Sequence, residues 1–168
     1  MNIILSGFMG CGKTTIGKII ARRLNLDFID TDKVIEEREG RKIREIFDTE
    51  GEAYFRDKEH EICAELSRED NKVIATGGGA LTFDRNKEAL SKSGKVIFID
   101  VDLNTILRRI GNDSQRPLLN DETKALFDKR NPIYKKNCDF TITVRGEVSA
   151  KEIADSIIKY YIKGKKAK

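Results

Sequence analysis

The stretch Ile3-Ile-Leu-Ser-Gly-Phe-Met-Gly-Cys-Gly-Lys-Thr14 joins a short apolar run to a glycine-rich turn. Residues 7–14 fit the pattern G-x-x-x-x-G-K-T, with a strand-like run at 3–5 before it and a helix-like stretch at 14–24 after it. Glycines let backbone N–H groups point inward, and the start of the following helix adds unpaired N–H groups and the positive end of its dipole. The stretch therefore predicts a strand, a phosphate-binding loop and a helix. A chance glycine-rich turn is the alternative.

Two side chains of this loop suit the phosphates of a nucleotide. Lys13 carries a mobile positive charge toward the β- and γ-phosphates. The Thr14 hydroxyl is a hard oxygen ligand of the kind that Mg²⁺ prefers. Cys11 also lies in the loop, but nothing next to it in the sequence makes it a nucleophile.

The composition of the 168 residues fits one α/β domain with small-molecule partners. No apolar run approaches the length of a membrane span, and three widely spaced cysteines without metal-ligand spacing suggest a reducing cytoplasm. The net charge of +4 comes from five lysines among the last ten residues. We expect the basic tail at 163–168 to be a solvated end. No aromatic residues interleave with its lysines, so a nucleic-acid partner is not expected.

Five apolar segments are typical of buried parallel strands, and helical patterns separate them. This alternation predicts a doubly wound α/β sheet. The segments are 3–5, 28–29, 73–75, 96–101 and 140–144.

Two segments interrupt this alternation. About forty residues separate the second strand from the third, which is too many for one simple crossover. Turns near Glu39-Gly40 and at 48–51 divide them, so 31–70 is predicted to be a helical insertion that binds substrate. The polar stretch 111–119 carries Arg116 beside a proline and is typical of a mobile lid. An ordinary surface loop is the alternative there.

Two carboxylates, Asp30 and Asp32, follow the second strand. Strand side chains alternate, so both should project to the same side, at the carboxyl edge where ligands bind to open α/β sheets. We interpret one as part of a Mg²⁺ shell and the other as the group that binds a hydroxyl and accepts its proton. The alternative is that Asp32 only caps a helix that begins at Lys33.

Three successive glycines, 77–79, end the third strand and suggest close approach of a ligand to the backbone. Asp100, at the end of the fourth strand, is a weaker candidate for the metal because the Asp30/Asp32 pair accounts for it better.

Two arginines are candidates for binding a carboxylate. Arg56 and Glu59 lie three residues apart in a helical stretch, so they share a face and can pair, whereas His60 is expected to be solvated. Arg130 begins the stretch Arg130-Asn-Pro-Ile-Tyr134, whose proline is expected to perturb a helix. The planar fork of an arginine suits a carboxylate, although spacing alone equally allows two surface charges.

Together these motifs resemble the shikimate kinase family in order and spacing over nearly the whole chain. The resemblance rests on 7–14, Asp30-Thr-Asp32, Phe55-Arg56, 77–79, Arg116-Pro-Leu-Leu119 and Arg130-Asn-Pro-Ile-Tyr134. It implies one P-loop kinase domain over 1–168, five parallel strands in the order 2-3-1-4-5 and a lid at 111–121. It also implies transfer of the ATP γ-phosphoryl group to the 3-hydroxyl of shikimate, in aromatic amino-acid biosynthesis, by a cytoplasmic monomer.

The resemblance also implies residue roles. Asp32 would bind shikimate hydroxyls and act as base, with Lys13 and Arg116 as further catalytic residues. Thr14 would bind Mg²⁺, and Asp30 would lie in the outer shell of the metal. The other implied substrate-binding residues are Arg56, Gly77, Gly78, Gly79 and Arg130. The implied nucleotide-binding residues are Gly10, Cys11, Gly12, Lys13, Thr14, Thr15, Arg109, Arg116 and Arg145.

Three other classes of protein are alternatives. A gluconate- or nucleoside-monophosphate-type kinase shares the loop, but a nucleotide acceptor needs an aromatic or amide-lined pocket, and 31–70 offers mostly charges. A GTPase needs an N-K-x-D motif, and Asp70-Asn-Lys-Val73 lacks its aspartate. A non-catalytic ATP-binding module would be expected to lack Lys13 or Asp32.

Overall fold

A single parallel sheet forms the centre of the molecule. The computed structural model describes residues 1–111 and 121–166. Their strands are β1 (Asn2–Ser6), β2 (Asp27–Asp30), β3 (Lys72–Ala75), β4 (Gly94–Val101) and β5 (Phe140–Val144). The strands run parallel in the order β2-β3-β1-β4-β5, which confirms the predicted topology.

Helices cover both faces of this sheet. They are α1 (Lys13–Leu24), α2 (Thr31–Glu39), α3 (Ile43–Leu66), α4 (Asp84–Ser91), α5 (Leu103–Gly111), α6 (Asp121–Lys136) and α7 (Ala150–Lys166), with a 3-10 helix at Ala80–Thr82. The fully buried β1 divides its side chains between the two cores. Ile3 and Leu5 pack in the core with α1, α5 and α7, and Ile4 packs in the core with α2, α3 and α4. Burial on both faces explains why β1 reads as a continuous apolar run.

Glycines in the left-handed region make the two predicted turns of the segment 31–70. Gly40 ends α2 with φ 67°, and Gly51 interrupts α3 with φ 85°. The break at Gly51 divides α3 into two helical pieces, so the segment consists of three helical pieces rather than one crossover.

Two of the predicted segments lie partly outside the residues that the structure describes. Residues 112–120 of the expected lid, Arg116 among them, and 167–168 of the basic tail lie outside the described residues. Within 1–111 and 121–166, no helix combines the length and apolarity needed to cross a membrane.

Candidate active site

The glycine-rich loop between β1 and α1 lies at one end of a cleft of about 400 Å³. Gly7, Gly10 and Gly12 have φ values of 147°, 77° and 99°, which side-chain-bearing residues rarely adopt. Gly12 is the N-cap of α1, and in the described part of the chain no side chain caps it. The first N–H groups of α1 are therefore left for a ligand, as a phosphate site requires.

Lys13 folds back over this loop. Its Nζ donates to the carbonyl oxygens of Gly7 at 2.6 Å and Phe8 at 3.1 Å. The side chain of Cys11 is fully buried, and its Sγ lies close to Gly7 and 3.7 Å from Lys13 Nζ. Cys11 therefore presents no thiol to the cleft, whereas Lys13, Thr14 and the exposed Thr15 line it.

Thr14 and Asp30 are joined by a hydrogen bond. Thr14 Oγ1 donates to Asp30 Oδ2 at 2.8 Å, and Asp30 Oδ1 accepts from the backbone N–H of Lys33 at 3.4 Å. Asp30 is thus the N-cap of α2, which begins at Thr31. The alternative that Asp32 caps a helix beginning at Lys33 is wrong, because the helix begins two residues earlier, at Thr31, and Asp32 lies in its first turn.

Asp32 lies in the first turn of α2, with its carboxylate in the same cleft as Asp30. Helix geometry, rather than strand alternation, brings the two acids to one side. Burial raises the pKa of Asp32, and the charge of Asp30 raises it further, while Lys13 and Arg56 oppose both. A raised pKa makes Asp32 a better proton acceptor near neutral pH.

The three glycines after β3 lie against three charged side chains. A Cβ at Gly77 would overlap Asp32 Oδ1, and one at Gly79 would lie 2.7 Å from Arg56 Nη2. One at Gly78 would lie 3.9 Å from Arg130 Nη1. The glycine run is therefore the place where the predicted base and both predicted arginines meet.

Arg56 is held in this position by acids of its own helix. Its Nη1 donates to both carboxylate oxygens of Glu59, at 3.0 and 3.2 Å, which confirms the predicted pair. Its Nε and Nη2 donate to Glu52 Oε1 at 3.2 Å. The side chain of Arg56 is 11% exposed and that of Glu59 is 0% exposed.

Arg130 approaches the glycine run from α6. Tyr134, one turn further along that helix, donates its hydroxyl to the carbonyl oxygen of Gly78. Burial raises the pKa of Tyr134 to about 12, although the positive charge of Arg130 opposes this shift. Tyr134 therefore holds the glycine run in place through this hydrogen bond, a role that sequence reasoning missed. The spacing of four residues from Arg130 was the available signal.

Asn86 is a second buried polar residue that the sequence did not indicate. Its Nδ2 donates to the carbonyl oxygen of Ala80 at 3.0 Å and to Glu59 Oε2 at 3.5 Å. Its Oδ1 lies 2.9 Å from His60 Nδ1. The expectation that His60 is solvated is therefore wrong, because it is half-buried and joined to this network.

Two further arginines predicted to bind the nucleotide, Arg109 and Arg145, lie on α5 and directly after β5. Arg109 is half-buried on α5, whose Ile106 and Ile110 pack against Gly10. Arg145 follows β5 and donates to Asp100 Oδ2 at 3.0 Å and to the Asp100 carbonyl at 2.9 Å. Asp100 is thus paired with an arginine, whereas Asp30 is the carboxylate bonded to Thr14.

Glu59 is expected to make stability depend on pH. Burial raises its pKa from 4.5 to about 7, while the neighbouring Arg56 opposes this. Between these values the folded chain keeps a proton that the unfolded chain has lost, so the free energy of unfolding falls as pH rises. Glu59→Gln should reduce the difference in melting temperature between about pH 5 and 7.5. Glu61→Gln, at an exposed site on the same helix, is the control, and equal pH dependence in wild type and Glu59→Gln would contradict the assignment.

These features are typical of one class of protein, the P-loop kinases. A carboxylate and two arginines beside the phosphate-binding loop suit a small anionic acceptor. The chain belongs to the shikimate kinase family, because it matches the family described as Shikimate kinase over residues 9–161. Its reaction is accordingly transfer of the ATP γ-phosphoryl group to the 3-hydroxyl of shikimate, a step of aromatic amino-acid biosynthesis.

Individual relatives agree with this assignment. A shikimate kinase of Sulfurihydrogenibium sp. (strain YO3AOP1) is 45% identical over 137 residues, covering 80% of this chain and 82% of the relative. That of Thermodesulfovibrio yellowstonii is 42% identical over 165 residues, covering 95% and 94%. The solved structure of shikimate kinase from Acinetobacter baumannii in complex with shikimate is similar with a TM-score of 0.89 at 36% identity. It matches 98% of this chain and 94% of that one.

Proposed function

We propose that ATP binds over the phosphate loop and that shikimate binds beside it, at the glycine run. One observation carries this proposal: Asp32, Arg56 and Arg130, from three different helices, each lie against one glycine of 77–79. A hydroxyl beside Asp32 and a carboxylate between the arginines is the arrangement that shikimate requires. The A. baumannii enzyme is described in complex with shikimate, which agrees with this choice of acceptor.

The nucleotide side of the proposed site uses the loop and the start of α1. The proposed contacts are Gly10, Cys11, Gly12, Lys13, Thr14, Thr15, Arg109 and Arg145. Cys11 contributes backbone only, since its thiol is buried. Arg116, outside the described residues, is proposed from the family resemblance to reach the phosphates as part of a lid at 111–121.

Mg²⁺ is the proposed metal, and the described donors fit it. The Thr14 hydroxyl and the Asp30 carboxylate are hard oxygens 2.8 Å apart at the phosphate loop. Among residues 1–111 and 121–166, no group of three or more His, Cys, Asp or Glu forms a protein-only cation site. Mg²⁺ would neutralise charge on the nucleotide phosphates.

On the acceptor side, Asp32 orients the shikimate hydroxyl and accepts its proton, which its raised pKa favours. Arg56 and Arg130 bind the carboxylate through their planar forks. The backbone of 77–79 borders the acceptor. We further propose that residues 1–168 form one domain, in which the helical insertion 31–70 contributes Asp32 and Arg56 to the acceptor site, and that the chain acts as a cytoplasmic monomer.

Arg130→Ala is expected to lower kcat/KM for shikimate roughly ten- to a hundredfold, since a charge-assisted pair contributes about 1.5–3 kcal/mol. Arg130→Lys should remain clearly impaired, because lysine keeps the charge and loses the fork. Initial rates at varied shikimate test both variants. The Kd for ATP without shikimate should barely move, since the nucleotide site lies elsewhere.

An analogue with its carboxylate reduced to an alcohol separates carboxylate binding from general damage. It should be a poor substrate for the wild type and should lose much less on going to Arg130→Ala. Arg38→Ala is the matched control, because Arg38 forms an exposed fork with Glu65 away from the cleft. Equal losses for shikimate and the analogue would contradict the carboxylate assignment.

A further inference from the structure

Phe83 is a large apolar side chain beside the acceptor site that remains 37% exposed. It links the 3-10 helix Ala80–Thr82 to α4, and neither hydrophobic core includes it. Its ring centroid lies 5.1 Å from Arg56 Cζ. An exposed phenylalanine that does not pack in a core, yet contacts a substrate-binding arginine, suggests a role in the site.

The contacts around Arg56 show what such a ring contributes. Glu59 and Glu52 occupy N–H groups of the guanidinium, and Gly79 borders Nη1 and Nη2. The rings of Phe55 and Phe83 each lie 5.1 Å from its Cζ. Phe55 is 4% exposed and packs in the core, so its position is fixed by folding. Packing in a hydrophobic core therefore explains the position of the Phe55 ring but not that of the Phe83 ring.

A ring over a guanidinium attracts its charge and excludes water from it. Exclusion of water strengthens the ionic contacts that the same guanidinium makes. Arg56 already donates to Glu52, whose side chain is 63% exposed, so without the ring water would reach the guanidinium from one more side. The ring therefore helps to hold the guanidinium beside Gly79, at the proposed acceptor site, and shields it from water there.

We propose that Phe83 is a positioning residue for Arg56, and through it a determinant of affinity for the carboxylate of shikimate. This inference rests on the proposed role of Arg56 in binding that carboxylate. Phe83 does not touch the reacting atoms, so it should affect acceptor affinity and not the phosphoryl transfer step.

Phe83→Leu keeps an apolar side chain and removes the ring. We expect it to raise KM for shikimate roughly two- to fivefold, with kcat and the Kd for ATP unchanged. Phe83→Met, a second ring-free variant, should raise KM to a similar extent, and Phe83→Tyr, which keeps a ring, should keep the wild-type KM. Ile162→Ala is the matched control, since Ile162 is 42% exposed on α7, beside Tyr161, which bonds Met1 at the far end of β1.

A double-mutant cycle with Arg56→Ala completes the test. Phe83→Leu should change KM much less in the Arg56→Ala background, because its partner is already gone. An equal change in both backgrounds, or no change in the wild type, would overturn the role of Phe83 while leaving the acceptor site intact. An unchanged KM in Arg56→Ala itself would instead refute the proposed acceptor site.

Discussion

Lys13→Ala is expected to lower kcat by several orders of magnitude while the chain stays folded. Phosphoryl transfer depends on fixed positive charge near the transferring group, and removing one such charge elsewhere costs about 10³- to 10⁵-fold. Lys13 lies in the loop that supplies this charge, with its Nζ within 3.1 Å of two loop carbonyls. Steady-state kinetics at saturating ATP and shikimate measure the loss.

The fold should survive this change because the Lys13 side chain is only half-buried and lies at the cleft, outside both hydrophobic cores. Lys18→Ala is the matched control, since Lys18 is an exposed lysine of the same helix. It should leave kcat unchanged. A folded Lys13→Ala variant with near-normal kcat would contradict a phosphate-binding role for this loop.

Asp32→Asn should cause the second-largest loss of kcat, after Lys13→Ala. The substitution keeps the shape and removes the proton acceptor, so we expect a large fall in kcat with little change in the Kd for ATP. The raised pKa of Asp32 adds a pH effect: activity should fall as pH drops through that pKa, which lies above 3.8. Initial rates across pH test both expectations.

Asp30→Asn provides the contrast, because Asp30 bonds Thr14 and caps α2. It should raise the Mg²⁺ concentration needed for half-maximal rate, and added Mg²⁺ should restore much of the activity. Rescue of Asp32→Asn by Mg²⁺, without rescue of Asp30→Asn, would show that the two roles are reversed.

Most of the fold was predictable because its signals are local. The apolar runs of β1, β3 and β4 are buried on both faces, and such strands read as continuous hydrophobic segments. The phosphate loop carries its flanking strand and helix in one stretch of sequence. The turns at Gly40 and Gly51 need positive φ, which glycine adopts at little cost.

The cap of α2 was not predictable from local sequence. In Asp30-Thr-Asp32 either acid can cap a helix, and the motif does not indicate that Asp30 also bonds Thr14, which lies on another helix. The network of Asn86, Glu59 and His60 likewise joins residues of α3 and α4 that no motif connects. Tertiary packing decides such contacts, and sequence periodicity carries no information about them.

The glycine run illustrates a prediction that was right in kind and incomplete in detail. Three glycines indicated close approach to the backbone, and the groups that approach include this chain's own Asp32 and Arg56. The contact between Phe83 and Arg56 had no signal, because it joins a loop residue to a helix residue far away in the sequence.

Release of ADP by the purified chain, with ATP and Mg²⁺ present, tests the central claim most directly. The rate is measured without acceptor, with shikimate, and with the analogue whose carboxylate is reduced to an alcohol. We predict that ADP release depends on shikimate and that the analogue supports it only weakly. Equal rates with and without shikimate, or equal rates with shikimate and the analogue, would contradict an acceptor site built from Asp32, Arg56 and Arg130.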